Sequence, residues 1–105
     1  MSDTWERWSE QAHYDLDTAK AMLDSGRWIY VLFCCQQAVE KTLKGLIAEK
    51  TNEYPPRIHN LSELAKRAGL VPDEHTANRL QALSTYYIKT RYPHELESIA
   101  AQIDQ

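Results

Sequence analysis

Three polar clusters in this chain have the residue types and spacing to do chemistry: QQAVEKTLK over 36–44, IHNL over 58–61 and TRYP over 90–93. At 3.6 residues per turn, Gln37, Glu40, Lys41 and Lys44 fall at i, i+3, i+4 and i+7, so one helix face offers an amide, a carboxylate and two ammonium groups. Such a face can donate, accept and carry both signs, as binding an anionic ligand requires. His59 adds an imidazole, and in a compact fold it can sit beside Arg57, Lys41 or Lys44, where a nucleotide phosphate would bind. Tyr86, Tyr87 and Tyr92 cluster near Arg91 and provide stacking surfaces for a base, although the period of Tyr87 also suits the core. Each feature has a structural reading as well: Glu40 can pair with Arg91 across two helices, and His59 can hydrogen-bond the start of a helix.

Other chemistries find no support. His13, His75 and His94 show no metal-ligand spacing with each other or with Cys34 and Cys35, so no zinc site is expected. Adjacent cysteines on a helix point about 100° apart, which suits neither a disulfide between them nor a paired ligand. Glycine-rich phosphate loops are absent, as is a Ser or Cys nucleophile in a recognisable setting. No cofactor is implied.

With 105 residues the chain is expected to be one domain, 1–105, and its 43% hydrophobic and 26% charged residues are ordinary for a globular protein. The net charge of −3 is unevenly distributed. Residues 1 to 26 carry six acids against two bases, residues 27 to 67 seven bases against four acids, and residues 68 to 105 five acids against three bases. A modest electropositive zone is therefore expected in the middle third, far short of a dedicated duplex binder. The longest apolar run, Trp28 to Cys35, is much too short to span a membrane, and the opening residues do not resemble a signal peptide. A cytoplasmic location is expected.

These clusters need helices to hold them. Thr4 can cap a helix with the stripe Trp5, Trp8, Ala12, Leu16, Ala19 and Leu23, closed by Gly26. A second helix over about 27–51 carries Trp28, Val31, Leu32, Cys35, Ala38, Val39, Leu43, Leu46 and Ile47, and the short link makes the two an antiparallel pair. Pro55 and Pro56 interrupt helix, Asn60 caps a short third helix with Leu61, Leu64 and Ala65, and Gly69 ends it. Pro72 suits the first turn of a fourth, lined by Ala77, Leu80, Leu83, Ser84, Tyr87 and Ile88 up to Pro93. Residues 95–104 can form a short fifth. With three Gly, four Pro and no period-two alternation, the fold expected is all-α, an up-and-down bundle of four to five helices.

In sequence order these pieces form a pattern: Trp8, Asp15 to Leu16 and Ala19; then GRW and QQAVEKTLK between Gly26 and Lys44; then Pro56, His59 and Leu61; then YYIKTRYP from Tyr86 to Pro93. Together they resemble the HEPN family, the "higher eukaryotes and prokaryotes nucleotide-binding" domain, over nearly the whole chain. The resemblance implies a helical bundle, commonly a homodimer, in small prokaryotic proteins often encoded beside a minimal nucleotidyltransferase. Some such pairs are toxin–antitoxin modules whose HEPN member is a metal-independent ribonuclease. That branch carries an Arg and a His with four to six residues between them on a late helix. Here Arg91 and His94 are separated by only Tyr92 and Pro93, while the better-spaced Arg7 and His13 lie on the first helix.

Three functions are therefore weighed. One is a module that binds a nucleotide or docks a nucleotidyltransferase through Lys41, Lys44, His59, Arg91 and Tyr92, with Gln37 and Glu40 as a supporting network. Another is a ribonuclease toxin using Arg91 with His94 or His59. The last is a purely structural dimerisation bundle. Exposed Trp28, Tyr30 or Phe33 on the second helix would favour a two-fold dimer.

Overall fold

A computed structural model describes residues 2–89, with side chains from residue 4 onward. The elements are α1 (Ser2–Asp24), α2 (Trp28–Thr51), α3 (Leu61–Arg67) and α4 (Glu74–Lys89), with no strand among the described residues. The expected fifth helix over 95–104 lies outside them, as do Arg91, Tyr92 and His94.

Gly26 makes the first turn. Its φ of +74° is open to a residue without Cβ, and the Arg27 amide donates to the Met22 carbonyl at 2.8 Å. The chain returns immediately as α2, antiparallel to α1. Gly45 near the end of α2 consequently faces Trp5 and Trp8 near the start of α1.

Ala12 and Ala19 are buried in this interface, but Leu16 and Leu23 remain 44% and 48% exposed, contrary to the expected stripe. The reason is that α1 packs on α2 alone among the described helices, and one neighbour covers a narrower band than the stripe spans.

Asn52, at φ 60°, ends α2 in the left-handed conformation, and its amide bonds the Ala48 carbonyl. Pro55 and Pro56 carry the chain to Asn60, whose side-chain oxygen accepts from the Glu63 amide at 2.9 Å and caps α3. Gly69 follows at φ +80°. Asp73 accepts from the Thr76 amide at 2.7 Å and so caps α4, which places Pro72 just before the cap rather than inside the first turn. Leu43, Ile47, Leu61, Leu64, Ala65 and Ala68 form the core, with Val39, Leu46, Ile58, Leu80 and Leu83 packed around them. Leu61 and Leu64 are fully buried, each contributing about 1.5–3 kcal/mol by the area it removes from water. On α4 only Ser84 and Tyr87 are buried, whereas Ile88 is 57% exposed rather than part of the packed side.

Candidate ligand site around Glu40 and His59

The polar stripe on α2 divides between two neighbours. Lys41 turns to α1, its Nζ 2.8 Å from Asp15 Oδ2. This is a charge contact with the ammonium off the hydrogen-bonding direction of that oxygen. Lys44 bonds Glu40 Oε2 at 2.9 Å one turn back on its own helix. The single shared face expected from the helical period is therefore two ion pairs aimed at different elements, because α1 draws Lys41 toward its own acid.

Glu40 is the hub of the second group. Its carboxylate accepts from Lys44 Nζ, from Gln36 Nε2 at 3.0 Å, and from His59 Nδ1 at 3.0 Å to both oxygens. Gln36 is fully buried and every arm of its amide is used: Nε2 also donates to the His59 carbonyl at 3.1 Å, and Oε1 accepts from Gln37 Nε2 at 2.8 Å. The amide's orientation is thereby fixed, since the His59 carbonyl can only be met by the NH₂ end. A buried glutamine in this position carries no desolvation penalty of an unmade bond, and it fastens the loop before α3 to the middle of α2.

Burial pushes the Glu40 carboxyl up, but the hydrogen bonds from Lys44, Gln36 and His59, with the charge of Lys44, outweigh it, and Glu40 lies below its ordinary value. The network thus holds an ionised carboxylate under a half-exposed ring: the His59 side chain is 48% accessible, that of Glu40 7%. Tyr87 of α4 lies against this ring with centroids 5.2 Å apart and itself stacks on Phe33 of α2 at 5.7 Å. The buried Tyr87 ring thus lies between two more exposed ones, Phe33 and His59. Arg57 stands over the Tyr54 ring at 5.9 Å.

Of the sequence-derived site residues, Glu40, Lys44 and His59 come together, Gln37 joins through Gln36, and Lys41 is directed elsewhere. Arg91 and Tyr92, and with them the expected Glu40–Arg91 pair, lie outside the described residues. Gln36 and Asp15 are the participants that the helical-face reading misses. Gln36, Glu40 and Lys44 recur at i, i+4 and i+8, and that stricter spacing is the signal that points to Gln36. Among the described residues no three His, Cys, Asp or Glu side chains are grouped to hold a metal ion. Nor is any described helix long and apolar enough to cross a membrane.

The four helices of the described residues, with a polar network binding the second to the loop before the third, define an all-α bundle. This chain belongs to the HEPN domain family, whose model matches residues 5–103. No curated protein and no solved structure matches it.

Proposed function

We propose that this HEPN domain binds a nucleotide or short RNA strand over the surface where His59 emerges. The observation that carries the reading is a solvent-reaching imidazole fixed from beneath by a buried, ionised carboxylate. A ring needed only for packing gains nothing from exposure, whereas a ring that meets a ligand gains from being held in one orientation. Lys41, its side chain 23% accessible, would meet the ligand only by leaving Asp15 on α1, whereas Lys44, at 10%, is committed to Glu40. Arg91 and Tyr92 complete the proposed set. Titration calorimetry with ATP and with a short single-stranded RNA tests the idea. Heat of binding that disappears in His59→Ala, with the helical signal intact, supports it, and no binding of either probe removes it.

A structural reading is favoured by one specific fact, that both stripe lysines are already paired to acids. It expects Lys41→Ala and Lys44→Ala to lower stability with no binding to lose. For the ribonuclease reading, the decisive measurement is cleavage of RNA by the purified protein, absent in Arg91→Ala. Exposed Trp28, Tyr30 and Phe33, at 40%, 58% and 39%, support self-association as a homodimer or docking of a nucleotidyltransferase. Light scattering that reports a monomer at micromolar concentration, with no complex when a nucleotidyltransferase is added, would set that part aside.

A further inference from the structure

The hydrogen bonds around Glu40 determine more than the angle of the His59 ring. An ionised carboxylate only accepts, so the nitrogen 3.0 Å from both its oxygens, Nδ1, must carry the proton. In the neutral ring the other nitrogen, Nε2, then presents a lone pair. Lys44 donates to the other side of the same carboxylate, at 2.9 Å from Oε2. Among the described residues no side chain bonds Nε2. The ring cannot turn over without giving up Glu40, and its backbone is held by the bond from Gln36 to its carbonyl and by the cap that the next residue, Asn60, makes to Glu63. Tyr87 at 5.2 Å closes one side.

A lone pair aimed outward does not suit a phosphate, whose oxygens are acceptors themselves. It suits an O–H. We propose that Glu40 is the positioning residue for His59, holding it as a hydrogen-bond acceptor toward solvent, and that the group it recognises is a ribose hydroxyl of the bound nucleotide. Phosphate recognition then falls to the cations of the site and not to His59. The inference rests on the nucleotide-binding reading and adds the part of the ligand that His59 meets.

Two measurements on the intact protein separate the two claims. The ¹⁵N shifts of the His59 ring, at a pH where it is neutral, report which nitrogen bears hydrogen without any ligand. Expected is protonated Nδ1 with a bare Nε2, and finding the proton on Nε2 overturns the positioning role of Glu40. Calorimetry then compares ATP with 2′-deoxy-ATP and 3′-deoxy-ATP. At least one deoxy analogue should bind wild type roughly three- to tenfold more weakly, the span of one hydrogen bond, with the difference gone in His59→Ala. Equal affinity of all three for wild type overturns the hydroxyl assignment while leaving nucleotide binding intact. No binding of any of them removes both, with the ring shifts still deciding what Glu40 does.

Discussion

Gly45 and Trp8 meet at backbone distance: a Cβ placed on Gly45 would lie 2.8 Å from the Trp8 Cβ and equally close to Trp5 Cε3. Trp8 Cβ is tied directly to its own backbone and cannot move aside, so the helices themselves would have to separate. In an exposed helix Gly→Ala stabilises by about 1 kcal/mol. Here Gly45→Ala is expected to destabilise by about 1–3 kcal/mol, the range for overpacked cores. Denaturant unfolding checks this, and a stabilised variant would show that α1 can shift away freely.

The lowered Glu40 carboxyl makes part of the stability pH-dependent. Its folded-state value lies below the unfolded one, so its contribution is complete above the unfolded value, about pH 4.3, and is lost as pH falls through the folded value. Glu40→Gln leaves Lys44 buried beside a neutral group and is expected to cost about 3 kcal/mol at pH 7. The gap to wild type should narrow in acid. Unfolding curves at pH 7 and pH 3 that run parallel, with a constant gap, would contradict the linkage.

Lys41 and Asp15 are expected to couple more strongly than Arg67 and Glu63. The first pair has side chains 23% and 16% accessible and joins two helices, while the second, at 52% and 44%, lies along one turn of α3. Double-mutant cycles to alanine should give about 1 kcal/mol for the first and no more than about 0.5 kcal/mol for the second. The reverse order would mean that Lys41 is free to leave Asp15.

Cys34 and Cys35 should react slowly. Burial raises both thiols, and Asp15 together with the neighbouring Cys35 raises Cys34 further against a smaller opposing effect of Lys41. The thiolate, the reactive form, is therefore scarce. Iodoacetamide labelling at pH 8 is expected to be slower in the folded protein than in urea, and faster at Cys34 in Asp15→Asn. An unchanged Cys34 rate in that variant would mean that burial alone controls the thiol.

The helices were legible because their ends are written in residues with one conformational use: Gly26 and Gly69 at positive φ, Asn60 as a cap, Pro55 and Pro56 as breaks. How wide a face each helix buries was not. Leu16, Leu23 and Ile88 sit on apolar stripes, yet stay exposed because a stripe shows which side is apolar and not how much of it a neighbour covers. At the site, the residue types around Glu40 and His59 were visible, but the departure of Lys41 to Asp15 depends on which helix lies alongside. The role of Gln36 depends on a carbonyl 23 residues away, which no helical period contains.

One bond between α3 and α4 has a use as a reporter. The Leu61 amide, in a residue with no exposed surface, donates to Ser84 Oγ at 2.9 Å, so it meets water only when α4 lifts from the start of α3. Its hydrogen–deuterium exchange rate is therefore a local clock for that separation, readable in the native protein. A ligand seated on His59, whose ring packs against Tyr87 of α4, lies over the same seam, and is expected to slow exchange at Leu61 more than at the amides that join α1 to α2. Equal slowing everywhere would mean that Leu61 exchanges only through global unfolding.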